Sequence, residues 1–282
     1  MKTVVVTGAS TGIGWGCVKV LIASGARVFG SVRKQADGDR LSAEFGPNFT
    51  PLLFDVTDRA AVAAGARQVE GALGGETLSG LVNNAGIAVP GPLLDLAIDD
   101  FEHQLKVNVT GQLIVTQAFA PLLGVDRSRN GAPGRIVMIS SVGGKNAMPF
   151  LGAYSASKFA LEGMSESLRR ELMPFGIDVI IVAPGTVQTP IWDKADTLDL
   201  ARFANSPYAA ALGKLKSFMI TNGRKGLPAE KLGETIKAAL TLPIPKTRYT
   251  VAPNALQNLM ATTLPKRIVD NIIARQLGLR AP

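Results

Sequence analysis

Cysteine and histidine are nearly missing from this chain of 282 residues, which contains one of each, Cys17 and His103. A single cysteine excludes an intramolecular disulfide and is typical of a reducing compartment. Cys17 falls in an apolar helical run, which predicts a small buried side chain rather than a reactive thiol. Because no second histidine or cysteine completes a ligand set, His103 is predicted to be a surface or cap residue and no metal site is expected.

The chain also lacks any long hydrophobic run. No apolar segment approaches the roughly 20 residues that a membrane-spanning helix needs. The first residues, MKTVVVTG, lead directly into a strand and a glycine turn, without the features of a secretion signal. We therefore expect a cytoplasmic protein. Hydrophobic residues still make up 46% of the sequence, which is enough for the core of one large α/β domain.

Acidic residues are scarce in the last third of the chain. Residues 1–190 hold 16 Lys and Arg against 16 Asp and Glu, whereas residues 191–282 hold 14 against 6, so the net charge of +8 arises in the last third. Such a surface suits an anionic membrane, an acidic partner or a negatively charged substrate, and it is equally typical of an ordinary solvated face. Nucleic-acid binding is not predicted, because the basic residues are scattered and no binding motif accompanies them.

The most informative stretch is Gly134–Arg170, which predicts a strand, a loop and a helix. Tyr154 and Lys158 are four residues apart and therefore share one helix face. A nearby ammonium favours the phenolate and lowers the pKa of a phenol, which prepares Tyr154 to exchange a proton. Ser141, at the strand end, can place its hydroxyl on the same substrate oxygen. Taken alone, Tyr-x-x-x-Lys also occurs on solvated helix faces that have no catalytic role.

A glycine-rich turn follows the first strand. Lys2–Thr7 is short and apolar, as in a parallel strand buried on both faces, and GASTGIG follows at residues 8–14, before a helical run that starts at Trp15. Glycines at such a turn let the backbone approach a pyrophosphate, which the helix N-terminus attracts through its free N–H groups. The pattern predicts a dinucleotide site.

The end of the second strand indicates which dinucleotide binds. An acidic residue there takes the ribose 2′-hydroxyl of NAD, whereas an arginine accommodates the 2′-phosphate of NADP. The chain has Arg33 and Lys34 and no carboxylate until Asp37, which favours NADP(H) over NAD(H). The alternative is that the two cations only solvate a loop, while Asp37 or Asp39 reaches back to the ribose.

Further polar residues stand at predicted strand ends. Asp55 either contacts the adenine or caps its turn, and the stretch 83–86 either lines the cofactor or ties strand ends together. Asn108 lies in a helical run among apolar neighbours, where an amide is costly unless it is hydrogen-bonded; it either supports nearby backbone or holds a water for proton transfer. The turn at 184–189 could meet a nicotinamide carboxamide. Ligands bind beyond the carboxyl ends of parallel strands, so these groups should converge on one edge.

The rest of the chain is less regular. Residues 190–226 mix helical pieces, breaks and apolar side chains, which is typical of a mobile substrate lid or of a face packed on the core. In the C-terminal extension, residues 227–282, a helix is expected at 228–240 and an edge strand at 247–251. An amphipathic helix at 264–277 could pack on the body, join a second subunit or lie on a membrane.

Together, in this order, the motifs resemble those of the short-chain dehydrogenase/reductase family over roughly residues 1–190. The matching residues are Thr7-Gly-x-x-x-Gly-Ile-Gly14, Asn83-Asn-Ala-Gly86, Asn108, Ser141, Tyr154-x-x-x-Lys158 and Pro184-Gly185 with Thr189. The resemblance implies an α/β, Rossmann-type doubly wound parallel sheet of about seven strands with helices on both faces. Beyond residue 190, the stretches 248–255 and 264–270 are more loosely similar to the tails of members that act on steroids, retinoids and other lipophilic alcohols.

The resemblance also implies roles. Tyr154 would be the general acid/base, and Ser141 would orient and polarise the carbonyl or alcohol. Lys158 would bind the nicotinamide ribose and depress the pKa of Tyr154, and Asn108 would hold a relay water. The implied cofactor-binding residues are Gly8, Ser10, Thr11, Gly12, Ile13, Gly14, Arg33, Asp55, Val56, Asn84, Ala85, Gly86, Tyr154, Lys158, Pro184, Gly185, Val187 and Thr189.

The predicted function is an NADP(H)-dependent oxidoreductase that moves hydride between the nicotinamide and a secondary alcohol or ketone of lipophilic character. A non-catalytic NADP(H) sensor is the alternative, although a sensor would not need a proton relay. The resemblance further implies a homodimer or homotetramer, and the basic last third leaves peripheral membrane contact open.

Overall fold

The computed structural model of the protein describes residues 2–189 and 201–279. A seven-stranded sheet forms its centre, in the order β3-β2-β1-β4-β5-β6-β7, and all six neighbouring pairs are parallel. The strands are β1 Thr3–Val6, β2 Arg27–Val32, β3 Phe49–Leu53, β4 Gly80–Asn83, β5 Arg135–Ile139, β6 Asp178–Pro184 and β7 Arg248–Val251. The strand order reverses direction between β1 and β4, which opens a crevice at the carboxyl edge. This is the doubly wound fold that the motifs predicted.

Helices cover both faces of the sheet. Those of the described residues are α1 Gly12–Ala23, α2 Gln35–Phe45, α3 Arg59–Leu73, α4 Ile98–Leu105, α5 Gly111–Phe119, α6 Gly152–Glu171, α7 Ala209–Arg224, α8 Ala229–Thr241, α9 Ala255–Thr263 and α10 Lys266–Leu277. Val4 and Val6 of β1 point into a cluster with α1, α2 and α8, whereas Val5 points into one with α3, α5 and α6. Because successive side chains of a strand alternate between faces, an unbroken apolar strand is buried on both sides.

The helical region around Asn108 is not one continuous α-helix. Between α4 and α5, residues Lys106–Thr110 form a π-helical turn, with Asn108 at its centre. Such turns are rare and are frequently found at functional sites. The π-helical turn interrupts the regular α-helical hydrogen-bond pattern at Asn108, whose side-chain amide is buried.

Part of the C-terminal extension belongs to the central domain. Helix α8 packs so closely on α1 that a Cβ atom at Gly233 would lie 2.6 Å from the carbonyl oxygen of Gly16. Leu232 and Ile236 of α8 are fully buried in the sheet's apolar cluster. The extension also supplies β7, so it completes the sheet at the edge where a strand was predicted.

The predicted lid, residues 190–226, is described from residue 201 onward, and residues 190–200 lie outside the described part of the chain. Helix α7 packs in a third apolar cluster that includes Phe150, Phe203, Leu212 and Leu277 of α10. This described part of the lid therefore has an apolar inner face in contact with the body. None of the helices in the described ranges combines the length and apolar character needed to cross a bilayer.

Candidate active site

The turn between β1 and α1 requires glycine at three of its positions. Gly8 and Gly12 have φ angles of +65° and +59°, in the left-handed region that favours glycine. A Cβ atom at Gly14 would lie 2.1 Å from the carbonyl oxygen of Gly8. Thr11 occupies the N-cap of α1 without a side-chain cap, and no acidic residue stands in the first turn. The free N–H groups there suit a pyrophosphate, so the turn fits a dinucleotide.

Asn84 and Thr7 hold this turn against the end of β4. The Asn84 side-chain amide donates to the carbonyl oxygens of Thr7 and Gly8, at 2.9 and 3.1 Å. The Thr7 hydroxyl accepts from the backbone N–H groups of Asn84 and Ala85, at 2.9 and 3.0 Å. Of the two interpretations of the stretch 83–86, these bonds correspond to the one that ties strand ends together.

The turn after β6 meets the glycine turn as predicted. A Cβ atom at Gly12 would lie 3.1 Å from Cγ2 of Thr189. Upstream, the Gly185 N–H donates to the Val251 carbonyl at 2.8 Å, and Val187 pairs with Leu227 in a short bridge. The structure therefore brings Thr189 to the same crevice.

An arginine and a carboxylate lie together on the side of the crevice that follows β2 and β3. Arg33 lies exposed after β2, and its guanidinium is 3.9 Å from Asp55. The Asp55 carboxylate caps its own turn by accepting from the N–H and hydroxyl of Thr57, at 2.9 and 2.7 Å. Burial raises the pKa of Asp55, but the Thr57 hydrogen bonds and the charges of Arg33 and His103 outweigh it and leave the pKa below its usual value.

The first two carboxylates of α2 that follow Arg33 in the sequence both have partners of their own. Asp37 lies 3.6 Å from Arg40, and Asp39 accepts from Gln35 at 2.8 Å. Arg40 also donates to the Ser10 carbonyl at 2.6 Å, so a second arginine lies beside the glycine turn. The motif analysis missed Arg40, because only the folded helix returns residue 40 to residue 10.

Of the other predicted cofactor residues, some lie beside the glycine turn or Asn108, and others pack in the core. Ala85 lies against Gly8, where an added Cβ would be 3.0 Å from its Cα, and Gly86 is exposed beside Asn108. Ile13 packs against the apolar cluster under α1. Val56 is buried and close to Gly111 of α5, which makes it a support of the crevice floor.

Asn108 braces two elements of the site. Its Oδ1 accepts from the N–H of Ile87 at 2.9 Å, and its Nδ2 donates to the Ile87 carbonyl at 3.0 Å and to the Ser157 hydroxyl at 3.0 Å. Ser157 in turn donates to the Tyr154 carbonyl at 2.6 Å. The side-chain amide therefore supports backbone, as one of the two predicted interpretations requires, and it links the segment after β4 to α6.

Ser141, Tyr154 and Lys158 come together where β5 ends and α6 begins. The Ser141 hydroxyl oxygen accepts from the Gly143 N–H at 3.0 Å and interacts with the Tyr154 phenol. Lys158 is buried; its Nζ donates to the Ile139 carbonyl at 2.8 Å and lies 5.7 Å from the centroid of the Tyr154 ring. The predicted juxtaposition of the three side chains is present.

The sequence predicts that Lys158 lowers the pKa of Tyr154, whereas in the structure this pKa is raised. Burial raises the pKa of Tyr154 above its usual value, and the hydrogen bond with Ser141 opposes this shift without cancelling it. Burial lowers the pKa of Lys158 to about 8, against the charge of Glu162, which raises it. The phenol therefore keeps its proton at neutral pH, whereas the lysine loses its own under mildly alkaline conditions.

Comparison with known proteins gives the chain its family. The model of the short chain dehydrogenases matches residues 2–198. This chain belongs to the short-chain dehydrogenase/reductase family. The family and enzyme class that the motifs predicted are thereby confirmed.

Individual relatives of the family match most of the chain. An "NADPH-dependent 3-dehydrocapnine reductase" of Ornithobacterium rhinotracheale is 36% identical over 278 residues, 98% of each chain. Retinol dehydrogenase 5 of Mus musculus is 34% identical, over 95% of this chain and 86% of its own. A short-chain dehydrogenase of Burkholderia cenocepacia, solved in complex with NADP, superposes with a TM-score of 0.73 at 25% identity, covering 97% of this chain and 99% of its own.

Proposed function

We propose that this chain is an NADP(H)-dependent oxidoreductase that interconverts a lipophilic ketone and its secondary alcohol, with Tyr154 as general acid/base. The observation that carries the proposal is the meeting of Tyr154, Ser141 and Lys158 at the carboxyl edge that also bears the glycine turn. A proton donor and a polar hydroxyl beside a dinucleotide cradle are the groups that carbonyl reduction needs.

The cofactor would lie along that edge. The turn at 8–14 would hold the pyrophosphate, Thr189 and Lys158 the nicotinamide end, and Arg33 the 2′-phosphate. Preference for NADP(H) is supported by two exposed cations after β2, by the engagement of Asp37 and Asp39 elsewhere on α2, and by the named cofactors of the relatives. When bound, the nicotinamide supplies the hydride chemistry.

The proton chemistry belongs to the chain itself. Because the Ser141 oxygen accepts from the Gly143 N–H, the Ser141 hydroxyl hydrogen can point towards a substrate carbonyl oxygen and stabilise its growing negative charge. The Tyr154 phenol, protonated at neutral pH, gives its proton to that oxygen and becomes a phenolate. Lys158 then stabilises the phenolate through its positive charge. In the oxidative direction, Tyr154 takes the proton back.

A lipophilic substrate is supported by the apolar rim of the site. Gly152, two residues before Tyr154, lies against Leu93, whose side chain is 60% exposed. Phe150, two residues before Gly152, and Phe203 are buried in the apolar cluster of the described part of the lid. Apolar side chains beside polar reactive groups are typical of a ligand site. The relative named as a retinol dehydrogenase is consistent with this substrate class.

The direct test is to follow nicotinamide absorbance with NADPH and a panel of ketones, from short and polar to long and apolar. We expect turnover that rises with the apolar character of the ketone, and slower turnover with NADH. Tight NADPH binding without turnover on any ketone, or on any alcohol with NADP⁺, would instead identify the sensor alternative.

A further inference from the structure

Glu162 lies one helical turn beyond Lys158, on the face of α6 that carries Tyr154. Its side chain is only 11% exposed. A carboxylate removed from water to this extent is costly unless it is paired and hydrogen-bonded. Nothing in the proposed chemistry requires a buried acid at this position, so its partners are informative.

Three donors from two strands converge on the Glu162 carboxylate. Arg248 of β7 binds it in a two-pronged arrangement, with Nε 2.9 Å from Oε2 and Nη2 3.0 Å from Oε1. Ser140, at the end of β5, donates its hydroxyl to Oε1 at 2.8 Å. Bidentate pairing of this kind fixes orientation as well as distance. The carboxylate therefore connects the edge strand β7, the end of β5 and the helix α6, which carries Tyr154.

The same cluster supports the turn that carries Ser141. A Cβ atom at Gly144 would lie 2.8 Å from the Ser140 hydroxyl and 3.1 Å from Cγ of Glu162. One residue earlier, the Gly143 N–H donates to Ser141. Gly144 lies against Glu162 and Gly143 bonds to Ser141, so a displacement of Glu162 would also shift the Ser141 hydroxyl.

Glu162 also acts on Lys158 through space. Within the described residues, Tyr154 and Glu162 stand one helical turn before and after Lys158 on α6, and Arg248 of β7 pairs with Glu162. Burial lowers the pKa of Lys158, and the charge of Glu162 is the contribution that raises it. The neighbouring carbonyl of Ile139 fixes the position of the ammonium, but it carries no net charge.

We propose that Glu162, held by Arg248, is a positioning residue for this reaction: it places a negative charge one helical turn from Lys158, and its carboxylate holds the turn of Ser141 in place. This inference rests on the proposed function. The spacing of Tyr154, Lys158 and Glu162 can be read from the sequence. The partner of Glu162, Arg248, is 86 residues away along the chain.

The test compares Glu162→Gln with Glu166→Gln, which removes an exposed carboxylate one turn further along the same helix. The readout is the pH profile of kcat/KM for ketone reduction with NADPH. In Glu162→Gln the alkaline decline should move to lower pH by on the order of half to one unit, because an opposite charge near Lys158 is lost. On the alkaline side this is roughly a three- to tenfold loss of activity. The Glu166→Gln profile should coincide with that of the wild type.

A second readout needs no cofactor. In protein labelled with ¹³C and ¹⁵N at lysine, the Lys158 side-chain signal is assigned by its absence from Lys158→Met, and its titration is followed in each variant. We expect a lower Lys158 pKa in Glu162→Gln and no change in Glu166→Gln. A Lys158 titration that is identical in wild type and Glu162→Gln would overturn the proposal.

Glu162→Gln leaves the partly buried Arg248 without its carboxylate partner and is at risk of misfolding. The double variant Glu162→Gln/Arg248→Gln removes both charges. Its alkaline decline should fall between those of the wild type and Glu162→Gln, because the repulsion from Arg248 is lost as well; a decline at the wild-type pH would count against the proposal. A wild-type protein that reduces no ketone refutes the proposed function, whereas an active wild type with unchanged variant profiles refutes this inference alone.

Discussion

The carboxyl edge of the sheet and the described part of the lid are held in place by different forces. At the edge, polar side chains that are buried or partly buried hold the backbone through hydrogen bonds: Asn84 to the glycine turn, and Asn108 to Ile87 and to α6 through Ser157. In the lid, Phe203 and Leu212 pack against Phe150 and α10, and polar contacts such as Ser206 with Asp95 lie at the surface.

We infer from this difference that the edge serves the chemistry and the predicted lid serves substrate selectivity. Hydrogen bonds are directional and fix atoms to within a few tenths of an ångström, as a proton transfer requires. Apolar packing tolerates changes of shape at a moderate cost. We therefore expect the edge to fix the reaction and the predicted lid to influence which substrates are accepted. The predictions below test whether the two regions can be perturbed separately.

The largest effect is expected in the apolar cluster of the lid. Leu212→Ala should lower the free energy of unfolding by about 2–5 kcal/mol, since Leu212 is 2% exposed and leaves a cavity. At a temperature where the variant stays folded, KM for a long apolar ketone should rise more than KM for a short one. Thermal unfolding and steady-state kinetics measure both.

Leu94→Ala is the matched control, because Leu94 is 83% exposed and its truncation should change stability by less than about 0.5 kcal/mol. An equal loss of kcat for short and long ketones in Leu212→Ala would contradict the separation of edge and lid.

A smaller loss is expected in the glycine turn. Gly14→Ala places a methyl group against the Gly8 carbonyl, and overpacking of this kind costs about 1–3 kcal/mol. NADPH affinity should fall together with stability, whereas the ratio of KM values for long and short ketones should stay constant. Calorimetric titration and thermal unfolding report these quantities.

Gly163→Ala provides the comparison within α6, where an added Cβ meets nothing within 4 Å. Because alanine favours a helix over glycine by up to ~1 kcal/mol, this variant should be slightly more stable than the wild type. Unchanged NADPH affinity in Gly14→Ala would refute the assignment of the turn.

The pH dependence of kcat/KM tests the carboxyl edge without any substitution. Lys158, with its pKa lowered to about 8, should lose its proton as the pH rises, while the phenol of Tyr154, with its raised pKa, stays protonated. We expect kcat/KM for reduction to be flat from about pH 6 to 8 and then to fall by up to tenfold per unit. A profile flat well beyond pH 9 would show that the Lys158 charge does not matter.

The smallest effect concerns cofactor choice. Arg33→Ala should lower the ratio of kcat/KM for NADPH over NADH by roughly tenfold, since a charged hydrogen bond to the 2′-phosphate is lost. Arg170→Ala, a similarly exposed arginine paired with Glu166 on α6, should leave the ratio unchanged. An unaltered ratio in both variants would place the 2′-phosphate elsewhere.

Local spacing made much of this site predictable. Tyr154 with Lys158, and the glycines of residues 8–14, are close in sequence, so the periodicity of one helix or the geometry of one turn sets their relation. The seven-stranded parallel fold was implied by the family resemblance that the motifs carry, rather than by the spacing of residues.

Long-range contacts were not predictable in the same way. Glu162 is one turn from Lys158, but its pairing with Arg248 exists only once β7 joins the sheet. The π-helical turn at Asn108 and its bonds to Ile87 and Ser157 likewise depend on how α4, α5 and α6 pack. The raised pKa of Tyr154 came from burial, which the spacing of residues does not report.

The central claim is that Tyr154 transfers the proton. The most direct measurement is single-turnover reduction of a lipophilic ketone by wild type and Tyr154→Phe, with NADPH affinity determined on the same samples. Removal of the hydroxyl should slow reduction by about 100- to 10,000-fold, as for the loss of a general acid, and leave NADPH affinity unchanged. Reduction at the wild-type rate by Tyr154→Phe would contradict the claim.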